Sequence, residues 1–407
     1  MRLLRLKLAW LLDWAIPVRR GQVCFVSRRN APISGNLRVM LDAMAAEPHR
    51  RVIAYKEGAT DPHTASVLKR QGVELIDRFS LRSLLTLLSS ELVVLSHSAR
   101  DAYLTRRKRG RAVVNLWHGV AIKRIEAMML PRGGLQAHRS RQKRIAENSR
   151  LYDAVIASNP VDQLVNALAF AVPHHQVHPV GLPRFDYLSQ PWQSWPEDLQ
   201  AKRLELAAQL KGRRLILHAP TFREGGITLA HLITADDLTL IKAVCQKRGW
   251  VLGLRPHPYW EGQQHGLCDG KTVLDLGAQQ LPEPAVALSL AVALVADYSS
   301  IWVDYLILKR PIHGLMKDLD KYMDNERGFL YPIQDVFPGP IHQTWHDVLA
   351  AIEAEGEQNV DPDSAGHAAH NKRHSKASLL FLPADPAQPI QQRCHNILTQ
   401  LMTQRAL

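Results

Sequence analysis

Four short clusters carry side chains suited to phosphate chemistry, and each closes an apolar run. Trp117-His118-Gly119 follows Val113-Val114-Asn115-Leu116. An imidazole near its ordinary pKa takes a proton from a hydroxyl at neutral pH, which makes His118 a candidate general base. In Ala219-Pro220-Thr221-Phe222-Arg223 the proline ends the run, and Thr221 and Arg223 can hydrogen-bond an anion, the arginine through its planar fork. In Arg255-Pro256-His257-Pro258 two prolines fix the backbone on either side of a histidine, and Arg255 with His257 suits a phosphate. Asp297-Tyr298-Ser299-Ser300 opens an apolar helix that contains Asp304. Ser299 and Ser300 can cap that helix, and the N–H groups they sit on attract phosphate oxygens. Plainer readings exist for each: a structural histidine, a rigid turn, a simple cap. Their shared position at the ends of apolar runs favours one anion-handling chemistry, because open α/β sheets bind ligands beyond the carboxyl ends of their strands.

The elements that must hold these residues alternate between short apolar runs and helical stretches, the pattern of a doubly wound α/β protein. Expected strands in the first half are 23–27, 52–55, 92–96, 113–117 and 154–158. The second half supplies 214–219, 250–254, 272–276 and 293–297. Two Rossmann-like units are expected, with a break at Pro191-Trp192-Gln193-Ser194-Trp195-Pro196. The expected organisation is an N-terminal helix over 1–20, one domain over 21–190, a second over 191–345 and a helical or loop tail over 346–407. Neither a dinucleotide-binding glycine fingerprint nor a P-loop follows any expected strand.

The chain has 407 residues, 46% of them hydrophobic, enough for two cores. Its four cysteines form no Cys-x-x-Cys pair, so disulfide and zinc-ribbon frameworks are not indicated and a reducing cytosol fits. Nor do its 19 histidines show the spacing of a metal site. The net charge is +13, and nearly all the excess lies between Arg100 and Arg150, where fourteen Lys or Arg face three acidic residues. Arg106, Arg107, Lys108 and Arg109 are its densest run. Such a window attracts polyanions or anionic lipid, although a solvated face is the commoner meaning of a charge run. The N-terminal helix is too short to span a bilayer, and Asp13 and Pro17 spoil a secretory signal. Trp10 and Trp14 beside basic residues suit a helix lying on the cytoplasmic face of the inner membrane, with packing against the rest of the chain as the alternative.

The four clusters, in this order, resemble those of the CDP-glycerol glycerophosphotransferases, the family of teichoic acid primases and polymerases. The likeness extends to Ser34-Gly35-Asn36, to Gly181-Leu182-Pro183-Arg184-Phe185-Asp186, and to Asp320-Lys321-Tyr322, Glu326-Arg327-Gly328-Phe329 and Pro338-Gly339-Pro340-Ile341. The resemblance implies a GT-B-like fold, two facing Rossmann-like domains with a cleft between them. It further implies transfer of a glycerol phosphate or similar polyol phosphate from a CDP-alcohol to an acceptor hydroxyl, with release of CMP. His118 and His257 would then be catalytic. Arg255, Thr221, Arg223, Ser299 and Ser300 would bind the donor phosphates, with Asp297, Gly119, Arg184, Asp304 and Arg327 in support. Arg106, Arg107, Lys108, Arg109, Trp10 and Trp14 would meet the membrane or the acceptor.

The implied partners are CDP-glycerol or a related CDP-alcohol, a lipid-linked or glycan acceptor and the anionic inner-membrane surface, with no nucleic acid. No cofactor is firmly implied, Mg2+ being left open. Val120-Ala121-Ile122 and Leu182 depart from the family's pattern and bear on the acceptor's identity. With no long extra domain in its 407 residues, the chain is expected to make one or few additions. A GT-B glycosyltransferase using a nucleotide-sugar is the enzymatic alternative, but its Glu and Gly-rich signature is absent. A non-catalytic membrane- or polyanion-binding protein is the other, and it would have no need of the Arg255–Pro258 or Asp297–Ser300 clusters.

Overall fold

The computed structural model describes residues 2–28, 31–56, 60–78, 80–130, 134–223, 227–325, 328–358, 365–384 and 388–406. They form two compact units. The first comprises 1–186, 196–198 and 383–407, and the second 187–195 and 199–382.

The first unit is a parallel sheet of β1 (Arg19–Val26), β2 (Arg51–Lys56), β3 (Glu74–Asp77), β4 (Ser90–Leu95), β5 (Ala112–Asn115), β6 (Ala154–Ile156) and β7 (Val177–His178). Its order is β3-β2-β1-β4-β5-β6-β7. Cys24, Phe25, Val93, Val94 and Val114 are fully buried, as continuous apolar strands must be when helices cover both faces. The chain winds outward from β1 to β3 and then returns to place β4 beside β1. The crevice at that reversal is where such a sheet binds ligands.

The second unit repeats the plan with β8 (Arg214–Ala219), β9 (Trp250–Leu254), β10 (Val273–Asp275), β11 (Ala291–Ala296), β12 (Ile312–Leu315) and β13 (Ile341–His342). The order is β10-β9-β8-β11-β12-β13, all parallel, with its reversal between β8 and β11. Strands β3, β7, β12 and β13 were not foreseen. They are two to four residues long and all four carry His, Asp or Glu, so no apolar run marks them.

The expected tail over 346–407 is not one piece. The helices Trp345–Gln358 and Ala365–Phe381 belong to the second unit, and Ile390–Ala406 belongs to the first. Asp186 fixes the start of that last helix, its carboxylate accepting from the N–H groups of Ile390 (3.2 Å) and Gln391 (2.7 Å). Gly181, at φ 97°, lets Ile390 settle on its backbone, since a Cβ there would stand 2.8 Å from the Ile390 side chain.

The helix α1 (Arg2–Ala15) docks through Ala9 and Leu12, followed by Ile16, against the core of the first unit, and through an ion network. Ala9 and Asp13 are buried, and Asp13 accepts from Nη1 (3.0 Å) and Nη2 (2.7 Å) of buried Arg111, from Arg106 (3.4 Å) and from Lys108 (3.3 Å). Leu8, Trp10, Leu11 and Trp14 are left exposed, with the Arg106 guanidinium 3.8 Å above the Trp14 ring. No helix among the described residues is long and apolar enough to cross a membrane.

Candidate active site

In the first unit the segments that leave β1, β4, β5 and β7 meet around His118. The strand β5 ends at Asn115, and the chain then turns through Trp117 at φ 53°, a left-handed conformation that a bulky side chain enters only under constraint. The constraints are visible. Asn115 Oδ1 accepts from the Trp117 N–H (2.9 Å), and Asn36 Nδ2, at the start of α2 (Asn36–Ala45), donates to the carbonyls of Leu116 (3.2 Å) and Trp117 (3.1 Å). Asn36 Oδ1 also accepts from the N–H of Arg184 (3.1 Å), whose guanidinium donates to the carbonyl of His118 (2.5 Å).

Beyond Gly119, buried Asp162 accepts from the N–H groups of Ala121 (3.3 Å) and Ser158 (2.8 Å). Burial pushes its carboxyl up to about 6.

His118 itself is exposed, with Nδ1 3.1 Å from the carbonyl of Ser96. A carbonyl only accepts, so Nδ1 carries the proton and Nε2 keeps a lone pair. That is the tautomer of a base.

The second unit places the other three clusters at the ends of β8, β9 and β11. His257 is half-buried, and its Nδ1 accepts from the N–H of Tyr259 (3.2 Å). The neutral ring therefore carries its proton on Nε2, the tautomer of a donor and the opposite of His118. Ser299 Oγ accepts from the Ile301 N–H (3.4 Å) at the head of the helix Ile301–Tyr305, on which Asp304 is buried. Ser299 and Ser300 are both half-buried.

Two of the arginines expected at the phosphates are engaged within their own unit. Arg255 donates to the carbonyls of Leu276 (2.8 Å), Leu281 (2.7 Å) and Pro282 (3.3 Å), and burial pulls its guanidinium down to about 10. Arg223, 2% exposed, pairs with Asp297 (2.9 Å) and Asp318 (2.8 Å) and lies over the rings of Tyr298 and Tyr322. Each is a strut: Arg255 fastens the loop after β10, and Arg223 clamps the β8 loop to those after β11 and β12. Asp297 completes the clamp by accepting from the Thr221 N–H (2.9 Å). Thr221 Oγ1 is buried and has no hydrogen-bond partner among the described residues, so it alone of this set is an orphan suited to a ligand oxygen. Arg327 lies outside the described residues.

The basic run also has inward duties. Arg106 and Lys108 serve Asp13, and Arg107 pairs with Asp153, which also receives Arg405. Arg109 is exposed. A charge count along the chain cannot register carboxylates that folding brings from residues 13 and 153. His97, Asn115, Asp162 and Asp318 went unremarked as site residues, although His97 obeys the same rule as the rest, a polar residue just beyond an apolar run. Among the described residues no group of three or more His, Cys, Asp or Glu is arranged to hold a metal ion.

Comparison with known proteins agrees with this architecture. A family model described as CDP-Glycerol:Poly(glycerophosphate) glycerophosphotransferase matches residues 8–376. A teichoic acid ribitol-phosphate primase of Bacillus spizizenii is 26% identical over 365 residues, covering 86% of both chains. A teichoic acid ribitol-phosphate polymerase, TarL, of Staphylococcus aureus is 25% identical over 82% of this chain, which spans only 56% of the polymerase. The structure of the wall teichoic acid polymerase TagF superposes with a TM-score of 0.74 at 18% identity, covering 98% of this chain and 93% of that one.

Proposed function

The chain belongs to the CDP-glycerol:poly(glycerophosphate) glycerophosphotransferase family, and from that premise we propose that its two units divide the work of transfer. The reaction moves a polyol phosphate from a CDP-alcohol to an acceptor hydroxyl, making a phosphodiester and releasing CMP. His118 takes the proton of the acceptor hydroxyl. His257 donates to the diphosphate through Nε2, alongside the Thr221 hydroxyl and the backbone N–H groups at Ser299 and Ser300. Preorganised donors of this kind act where negative charge gathers on the leaving CMP.

The opposed tautomers of the two histidines carry the reading. One backbone carbonyl makes His118 an acceptor and one backbone N–H makes His257 a donor. Arg223, Asp297 and Arg255 support the donor loops, while Arg184 donates to the carbonyl of His118. The test is incubation with a panel of CDP-alcohols and glycan or lipid-linked acceptors, with CMP as readout. His118→Ala should abolish CMP release while CDP-alcohol binding, followed by calorimetry, survives. Wild-type turnover by that variant would overturn the base assignment.

A peripheral place on the anionic inner membrane is part of the same proposal, supported by the exposure of Leu8, Trp10, Leu11 and Trp14 on α1. Replacing Trp10 and Trp14 by Ser should lower partition into anionic liposomes. Equal partition at low salt would remove α1 from that role.

A further inference from the structure

We propose that His97 is a positioning residue for transfer, its imidazole lying flat against that of His118 and holding the base in the plane from which Nε2 meets the acceptor hydroxyl. The proposal rests on His118 being the base. The two rings are stacked with centroids 4.0 Å apart and planes 6° from parallel. Trp117 touches His118 at a similar distance, 3.9 Å, but tilted by 47°, so it fills space beside the ring without defining its plane.

One residue, Ser96, anchors both imidazoles. Its carbonyl faces His118 Nδ1 (3.1 Å), and its hydroxyl faces His97 Nδ1 (3.0 Å). The backbone of His97 is fixed in turn, its carbonyl accepting from Asn115 Nδ2 (2.8 Å) and the Tyr152 hydroxyl (3.4 Å). Asn115 is the residue that also steadies Trp117. The stack is therefore tied to the same scaffold as the loop that carries the base.

The stack also has to tolerate the proton. Burial holds the His97 imidazole well below the ordinary histidine range, and the neighbouring His118 and Arg28 add to the effect. The groups facing the pair are Arg28 from the loop after β1, Arg184 at the His118 carbonyl, and the Tyr152 hydroxyl. Against this cationic surrounding His97 stays neutral, so the charge formed when His118 takes a proton meets a polarisable ring face rather than a second cation.

The experiment measures CMP release by His97→Ala, His97→Leu and His97→Phe, alone and in the His118→Ala background, with donor binding and circular dichroism on each. Phe keeps a flat aromatic face, Leu fills the volume without one, and Ala removes both. The expected result is a loss in kcat of about tenfold or more for Ala and Leu, most of it recovered by Phe, with KM for the CDP-alcohol unchanged. In the His118→Ala background the His97 substitutions should add nothing, because they act through the missing ring.

Wild-type kcat in folded His97→Ala or His97→Leu would overturn the proposal. So would a loss in His97→Phe as deep as that in His97→Leu, a comparison that holds even if the alanine variant does not fold. Undiminished turnover by His118→Ala alone would instead overturn the base assignment, which separates the two failures.

Discussion

Asn36 offers the sharpest test of how the base is held. It is 3% exposed and joins three segments, donating to the carbonyls of Leu116 and Trp117 and accepting from the Arg184 N–H. Trp117 sits at φ 53°, which costs a non-glycine residue roughly 1–2 kcal/mol. Two hydrogen bonds from Asn36 and one to Asn115, at about 1 kcal/mol each, sum to about 3 kcal/mol, more than the strain they oppose. With Asn36→Ala the balance reverses, Trp117 relaxes toward negative φ, and His118, the next residue, swings with it. Displacement of a base by an ångström costs on the order of a hundredfold in rate. Steady-state CMP release should therefore show kcat down by about that factor, with KM for the CDP-alcohol unchanged because donor binding is assigned to the other unit. Asn36→Asp keeps the acceptor for Arg184 and loses the donor for the two carbonyls, and it should fall nearly as far. A folded Asn36→Ala with kcat within about threefold of wild type would refute the reasoning, since the misplacement it requires costs far more.

Three further outcomes follow from the same contacts. His257→Ala should weaken CDP-alcohol binding as well as turnover, whereas His118→Ala should spare binding; calorimetry separates them. Arg223→Leu leaves Asp297 and Asp318 without their countercharge and should cost about 3–5 kcal/mol of stability, read as a fall in thermal midpoint on the order of ten degrees. Burial pushes the Asp318 carboxyl up, but the hydrogen bonds and charge of Arg223 bring it net below its ordinary value. That stability is therefore present above the ordinary carboxylate pKa and is lost on acidification through the depressed one, a loss the variant should not show. Asp162 has the opposite sign. Its carboxyl, raised from 3.8 to about 6, favours the native state at low pH and loses that advantage as pH climbs through this window, by about 3 kcal/mol at neutrality. The urea midpoint of Asp162→Asn should lack this slope, and a slope equal to wild type would remove Asp162 as its source.

The positions of the candidate residues were legible because strand ends are. Parallel strands buried on both faces read as apolar runs, and ligand groups must lie just beyond them, so His118, Thr221, His257 and Ser299 could be located from the chain alone. What those side chains touch was not legible. Arg223 and Arg255 look identical in sequence to phosphate-binding arginines, yet one spends its charge on Asp297 and Asp318 and the other spends its donors on three carbonyls. Arg106 and Lys108 of the basic run are engaged in the same way, since Asp13 lies more than ninety residues away in sequence and beside them in space. His97 escaped because what sets it apart is a ring-on-ring contact with a residue from a different strand end.

The partner of the base bears on the kind of transition state it serves. Nδ1 of His118 meets a backbone carbonyl, a neutral acceptor that sets tautomer and direction but supplies no full negative charge to the forming imidazolium. A serine hydrolase needs such a charge because its nucleophile must be nearly an alkoxide to attack a carbonyl. Transfer at phosphorus asks less, because its catalysis is carried mainly by in-line positioning and by electrostatic stabilisation of the phosphates. Most of the stabilisation then belongs at the departing phosphate, the task proposed above for His257, Thr221 and the N–H groups at Ser299 and Ser300. The base has mainly to be in the right place and the right tautomer: Ser96 and Arg184 meet the ring and the carbonyl of His118, and Asn115 and Asn36 hold the backbone of Trp117 before it. Substitutions that displace His118 should therefore harm catalysis more than substitutions that only alter the charge around it.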